Sequence, residues 1–244
     1  MNLTIDIGNT SAKAAVFDGE TMVFAGRLDA DFGKQLAEVA SHYLPQMCAV
    51  SNVAGHREDV AKALAQLPCE VVELTWESPV ETFGLSHIPQ GLGADRLAAV
   101  LGATALMPNV PLLVIDAGTC LTYDYIAPSG HYLGGNISPG LSLRLRAMHE
   151  HTALLPLIPL QGEAPLMGED TDTALRSGVV NGACFEIEGF LKADRQQRGD
   201  VQAFFAGADA LPFSAEVRPF LHMEPRLVGI GLNRFINEPI IYDR

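Results

Sequence analysis

Two stretches of this chain set a carboxylate, a glycine and small donors in the same order. The first is Leu3-Thr4-Ile5-Asp6-Ile7-Gly8-Asn9-Thr10-Ser11, continued by Ala12 and Lys13. The second is Leu113-Val114-Ile115-Asp116-Ala117-Gly118-Thr119-Cys120-Leu121-Thr122. Each is an apolar run, then Asp-x-Gly, then small polar residues, then another strand-like run. The run before each Asp reads as a buried strand. The Asp stands where that strand ends, so its carboxylate can reach a cation. The Gly permits a turn and the close approach of a phosphate. Asn, Thr and Ser side chains supply neutral donors for phosphate oxygens. One Asp-x-Gly is common at strand ends, and the recurrence with matching flanks is what gives it weight. Two such hairpins facing each other would clamp a polyphosphate. Lys13 either reaches a phosphate or stands in solvent on its long stem.

A third cluster, Gly93-Ala94-Asp95-Arg96, opens a helix. Asp95 can take a proton from a hydroxyl as general base, and Arg96 can clamp a carboxylate with its forked donors. The plainer alternative is an acidic residue favouring a helix N-terminus beside a surface Arg. Further along, Gly134-Gly135-Asn136-Ile137-Ser138-Pro139-Gly140 reads as a strand-to-helix joint whose backbone comes close to a ligand or another chain. Gly168-Glu169-Asp170-Thr171 precedes a long helix, with Asp170 or Thr171 as N-cap. Phe204-Phe205-Ala206-Gly207-Ala208-Asp209-Ala210 is an apolar strand ending in a loop where an adenine could lie. His149 and His151 bracket Glu150 without the four-residue spacing of a helical metal site. They are either anion contacts or part of a polar helix face.

The elements that must hold these residues follow a doubled plan. Strands are expected over residues 2–7, 12–17 and 21–27, with Asp18-Gly19-Glu20 as a hairpin turn. A helix over 32–44, a strand over 47–52, a helix over 56–66 and a strand over 70–74 complete a ribonuclease-H-like order. The plan then restarts. A helix over 94–106 precedes strands over 112–116, 121–126 and 131–135, with Pro128-Ser129-Gly130 as turn. Helices follow over 141–149 and 173–191, then a strand over 201–206 and a helical segment over 226–234. The expected fold is α/β, a duplicated ribonuclease-H-like arrangement of two mixed sheets with flanking helices and a central cleft. The expected halves are 1–110 and 111–244.

Bulk properties narrow the function. Net charge is −13 and the pI about 4.8, which disfavours nucleic-acid backbones, since those need clustered Lys and Arg. The four cysteines, Cys48, Cys69, Cys120 and Cys184, form no C-x-x-C pair, so buried free thiols are expected rather than zinc. No signal peptide or membrane span is indicated, and a cytoplasmic protein is expected.

Taken in order, these segments resemble the type III pantothenate kinases, a branch of the acetate kinase/sugar kinase/Hsp70/actin superfamily. The resemblance runs through Asp6 to Thr10, Gly93 to Leu97, Asp116 to Thr119, Leu133 to Gly140, Thr152-Ala153-Leu154-Leu155-Pro156, Gly168 to Thr171 and Ala206 to Asp209, and spans nearly the whole chain. It implies an actin-like ATPase fold and ATP-dependent phosphorylation of pantothenate to 4'-phosphopantothenate, the first step to coenzyme A. It implies that Asp6, Ile7, Gly8, Asn9, Thr10, Ser11, Ala12 and Lys13 hold the ATP phosphates, with Thr119. Asp95 would be the general base. Gly93, Ala94, Asp95 and Arg96 would bind pantothenate, Arg96 pairing with its carboxylate. Asp116 would hold a monovalent cation, potassium or ammonium, and Asp6 would orient Mg2+ or its waters. Thr171 would reach pantothenate across a homodimer. Two positions depart from the pattern. Ser86 stands where a Tyr is usual, nine residues before the base, and the adenosine-side loop reads Ala206-Gly207-Ala208. The alternatives are a degenerate family member acting as a regulator without kinase activity, and a clamp of the same kind serving a sugar kinase or an Hsp70-like ATPase.

Overall fold

The computed structural model describes residues 1–28, 31–55, 57–207 and 211–237. The opening apolar run becomes β1 (Asn2–Ile7), with Leu3, Thr4, Ile5 and Ile7 buried, as befits a central strand covered on both faces. It pairs antiparallel with β2 (Ala12–Asp18), which pairs antiparallel with β3 (Thr21–Leu28). The helix α1 (Phe32–Tyr43) buries Phe32, Leu36 and Ala40 along one stripe, and the Asp31 side chain caps it by accepting from the Lys34 amide. On its other side β1 runs parallel to β4 (Met47–Asn52), and β4 parallel to β5 (Glu70–Glu73) beyond α2 (Glu58–Ala65). The sheet order is β3-β2-β1-β4-β5. The expected start of α2 at His56 lies outside the described residues. The helix α3 (Ala94–Leu106) follows, buried along most of its length.

The second sheet uses β6 (Leu112–Ala117), β7 (Cys120–Ile126) and β8 (Tyr132–Pro139), then β9 (Gln202–Gly207) and β10 (Leu221–Met223). Its order, β8-β7-β6-β9-β10, repeats that of the first sheet strand for strand. β6 and β9 are parallel, as are β9 and β10. Between β8 and β9 lie α4 (Leu141–Glu150) and α5 (Thr171–Arg198), which pack on each other. The last helix, α6 (Leu227–Asn237), packs against α3 and β1.

The chain divides into two units. One comprises Met1–Asn109, Ile126–Leu133 and Arg226–Arg244, the other Val110–Tyr125 and Gly134–Pro225. The sequence places α6 with the second half, whereas its packing puts it in the first unit.

Three local expectations are corrected. The joint expected at Gly134 to Gly140 is mostly strand: β8 extends to Pro139 and only Gly140 remains to turn into α4. Glycines are poor strand formers and hid an edge strand. α5 runs past Leu191 to Arg198, because its polar end is held by the Arg198–Asp194 pair one turn apart rather than by an apolar stripe. β10 was not expected at all, since three residues are too few to show alternation.

Candidate active site

In the first unit the strand register assembles a row. Asp6 on β1 lies opposite Lys13 on β2 and opposite Ser51 on β4. The Ser51 hydroxyl, wholly buried, donates to Asp6 Oδ1 at 2.7 Å. Burial holds the Asp6 carboxyl above the usual carboxylate range. The Ser51 hydrogen bond and the Lys13 charge work against that rise, and the charge of Asp95 adds to it. Asp6 and Asp95, far apart in sequence, thus lie within reach of each other's charge. The turn between β1 and β2 is closed by the Gly8 amide donating to the Ser11 carbonyl at 3.1 Å, with Asn9 and Thr10 exposed at its tip.

Asp95 sits in the first turn of α3 behind Gly93, the N-cap. Its Oδ1 accepts from the Arg96 backbone amide at 2.8 Å. A Cβ at position 93 would stand 2.6 Å from that same oxygen, so Gly93 is needed to leave the carboxylate its place. Ala94 is buried beneath it. The Arg96 guanidinium donates through Nη2 to the Tyr132 hydroxyl at 3.3 Å.

The second unit holds Asp116, Thr119 and Thr171. Asp116 ends the buried run of β6 as Asp6 ends that of β1, but its register partner on the parallel strand is Ala206. The turn is tighter than the first, with the Gly118 amide donating to the Cys120 carbonyl at 2.9 Å. Thr119 is exposed, and its carbonyl accepts from the Gly140 amide at 3.0 Å. A Cβ at position 140 would lie 2.5 Å from that carbonyl oxygen, so the contact requires glycine. Arg144 fixes the chain just before Gly140, donating to the Pro139 carbonyl at 2.8 Å and the Ser138 hydroxyl at 3.0 Å. It also pairs with Glu186 at 2.5 Å, and Tyr123 donates to the other Glu186 oxygen at 2.8 Å. Burial disfavours the Glu186 carboxylate, but the bonds from Arg144, Tyr123 and Ser138 outweigh it and hold its pKa below the usual value. Two residues past Cys120, the Thr122 Oγ1 is buried and has no hydrogen-bond partner among the described residues.

Thr171 opens α5 next to its N-cap, Asp170, which exchanges a capping box with Thr173. It lines a cavity of about 730 Å³ together with Pro139, Arg144, Met148, Leu155 and Gly178. His149 is turned inward to its own loop, its Nδ1 2.7 Å from the Leu155 carbonyl oxygen, and His151 caps α4 in solvent. Cys48 and Cys184 are buried free thiols; Cys69 and Cys120 are half-buried and free. Of the adenine-side loop, Ala206 and Gly207 end β9, while Ala208, Asp209 and Ala210 lie outside the described residues. Among the described residues no three His, Cys, Asp or Glu side chains gather as a metal cluster, and no helix is long and apolar enough to cross a membrane.

Ser51, Tyr132, Arg144 and Glu186 escaped the sequence reading. Ser51 alone left a signal: it stands next to last in β4, where parallel pairing with β1 brings it beside Asp6.

A ribonuclease-H-like sheet built twice, each copy ending its central strand in Asp-x-Gly, is the arrangement of the actin-like ATPase and sugar-kinase folds. Solved structures share the fold over nearly the whole chain. One, from Campylobacter jejuni and described as a Baf family transcriptional activator, has a TM-score of 0.59 at 24% identity and covers 96% of each chain. Another, described as a 2-dehydro-3-deoxygalactonokinase from Sinorhizobium meliloti, also has a TM-score of 0.59, at 14% identity, covering 96% of this chain and 98% of its own. Residues 2–193 match the model of the family described as type III pantothenate kinase. A type III pantothenate kinase of Bacteroides fragilis is 40% identical over 237 residues, which is 97% of this chain and 98% of the relative. The chain belongs to the type III pantothenate kinase family.

Proposed function

We propose a division of labour for this enzyme: the first unit carries the main phosphate turn, the acceptor site and the base, and the second adds a further phosphate donor and a cation site. The chain is a pantothenate kinase. It transfers a phosphoryl group from ATP to pantothenate, giving 4'-phosphopantothenate, the first step toward coenzyme A. Phosphoryl transfer asks the protein for positioning and charge neutralisation more than for covalent chemistry.

The carrying observation is the turn at Gly93 to Arg96, which sets the Asp95 carboxylate at the start of α3 within reach of the Asp6 charge, and the Arg96 guanidinium against Tyr132. The Arg96 amide steadies Asp95 through Oδ1, and the Asp95 carboxylate takes the proton of the acceptor hydroxyl. Arg96 pairs with the acceptor's carboxylate, and Gly93 and Ala94 shape the wall beside it. Gly8, Asn9, Thr10 and Ser11 donate to the phosphates. Ile7 and Ala12 frame that turn, and Lys13 supplies positive charge. Thr119 adds a donor from the second loop.

A kinase uses ATP with a divalent metal. Asp6 is a single carboxylate, which fits Mg2+, an ion that keeps most of its waters and takes one or two protein oxygens plus phosphates. The metal would neutralise phosphate charge, and Asp6, steadied by Ser51, would hold it. Asp116 would hold a monovalent cation. The buried Thr122 hydroxyl without a partner supports this, because such a group calls for a water or an ion.

A homodimer with a shared site fits the apolar side chains exposed on the second unit. Leu154 is 92% exposed, and Leu157, Leu166, Met167 and Phe185 are also exposed. Thr171 would then serve the partner's acceptor. Four free cysteines suit a reducing compartment, and we place the enzyme in the cytoplasm.

The test is Asp95→Asn. Turnover should vanish while the fold and ATP binding remain; full activity in that variant removes Asp95 as the base. Thr171→Ala should raise KM for pantothenate, and an unchanged KM refutes the shared site.

A further inference from the structure

The Arg96 side chain is held from outside its own helix. Its Nη2 donates to the hydroxyl of Tyr132, a residue 6% exposed at the start of β8. Both belong to the first unit. We infer that Tyr132 is a positioning residue of the acceptor site, holding the Arg96 fork ready for a carboxylate and so favouring an anionic acceptor over a neutral one. The inference rests on the reading of Arg96 as the partner of the acceptor's carboxylate.

Tyr132 owes its place to a second set of contacts, independent of α3. Its backbone amide donates to the Ser86 carbonyl at 3.0 Å, and the Ser86 amide donates to the Gly130 carbonyl at 3.1 Å. The hairpin turn before it is closed by the Gly130 amide on the Ala127 carbonyl and the Ala127 amide on the His131 carbonyl, each at 2.9 Å. Gly130 has φ +79°, and a Cβ there would stand 1.7 Å from the Gly84 carbonyl oxygen, so the two backbones touch. The rings of His87 and His131 stack with centroids 3.8 Å apart. His87 sits at φ 60°, in the left-handed region that a non-glycine residue seldom adopts. Segment 84–87 is thus pinned to the turn at a visible cost in strain. What the pinning delivers is a tyrosine hydroxyl at a fixed point beside Arg96.

The physical gain is pre-organisation. An arginine side chain has much rotamer freedom to lose when it grips a carboxylate. A hydroxyl that fixes the fork beforehand removes part of that cost from binding. The hydroxyl accepts from the guanidinium and does not compete with a carboxylate for charge. A neutral acceptor gains nothing from an aligned fork, so the effect falls on anionic acceptors alone.

The experiment compares pantothenate with pantothenol, in which the carboxylate is replaced by a neutral alcohol. Tyr132→Phe keeps the ring and its packing and removes only the hydroxyl. The expected result is a fall in kcat/KM for pantothenate of about five- to tenfold, carried by KM, the size expected for one weak hydrogen bond to a charged group. Values for pantothenol and KM for ATP should not move. A loss shared equally by both acceptors, or no change for either, overturns the inference, since a packing role would not choose between them. Arg96→Ala separates this from the parent reading. If it leaves the pantothenate-to-pantothenol preference intact, Arg96 is not the carboxylate partner and both fail. If it erases the preference while Tyr132→Phe preserves it, only the role of Tyr132 fails.

Discussion

Asp6 and Asp116 occupy the same place in two copies of one sheet, yet their neighbours differ. Beside Asp6, on the adjacent parallel strand, stands Ser51, whose hydroxyl is bonded to the carboxylate. Beside Asp116, at the matching position, stands Ala206, which has no donor to offer. The turn after Asp6 has two residues at its tip, whereas that after Asp116 is closed around Thr119 alone. The first carboxylate is fixed by Ser51, desolvated and within reach of the Asp95 charge; the second faces a strand that leaves it to other partners. The two sheets share one strand order, and the residue across the parallel ladder is what differs between their aspartates.

The comparison breaks most readily at the base. Asp95→Asn should lower kcat about a thousandfold, within the range of general-base catalysis, with ATP affinity by calorimetry unchanged. A comparable loss from Thr119→Ala, with Asp95→Asn active, would place the chemistry in the wrong unit.

Next in size is the contrast between the two carboxylates. Asp6→Asn should cost about a hundredfold in kcat, the scale of a lost electrostatic contact in a reacting site. Asp116→Asn should cost about tenfold and abolish the difference between potassium and sodium buffers. The Asp6 variant should also be more stable. Burial holds the folded-state pKa of Asp6 above its unfolded value, so ionising it works against the fold. That penalty is absent below the unfolded pKa and grows as pH rises through the folded one. Melting of Asp6→Asn should therefore exceed the wild type by a few degrees at neutral pH and converge with it below about pH 4. Equal melting at both pH values would refute the buried-charge account.

Exchanging the neighbours sharpens the contrast further. Ser51→Ala should lower kcat/KM about tenfold, the worth of a hydrogen bond to a charged group, with Ser51→Thr restoring most of it. Ala206→Ser should weaken activation by potassium a few-fold and leave kcat at saturating cation unchanged. An effect of Ala206→Ser on kcat alone would contradict the assignment.

The smallest effect is expected behind the second loop. Glu186→Gln should raise KM for ATP about threefold, as one strand of the support for Gly140 and Thr119 is lost. Because the folded-state pKa of Glu186 is lowered, its contribution to stability is present above the unfolded pKa and disappears as pH falls through the folded one. The variant should thus melt lower than the wild type at neutral pH and alike in acid.

Much of this fold was legible because its strands are written in apolar runs and its turns in Asp-x-Gly and Asp-Gly. The doubled order, and nine of the strands, could be read that way. β10 and the glycine-rich end of β8 could not, since one is too short to alternate and the other is made of poor strand formers. At the proposed site, Asp6, Asp95, Arg96 and Asp116 stand out by type and local spacing. Ser51 and Tyr132 do not, because their roles arise from register between strands and from a hairpin packed on a distant turn. Sequence spacing carries chemistry along one strand or helix, while the partners across a ladder emerge only once pairing is known.

The most direct test is ADP release by the purified enzyme with ATP and Mg2+, with and without pantothenate, in potassium and in sodium buffer. The account predicts release that needs pantothenate and is strongly favoured by potassium, with Asp95→Asn silent under every condition. ADP release independent of pantothenate, or pantothenate-dependent release that survives Asp95→Asn, would contradict it.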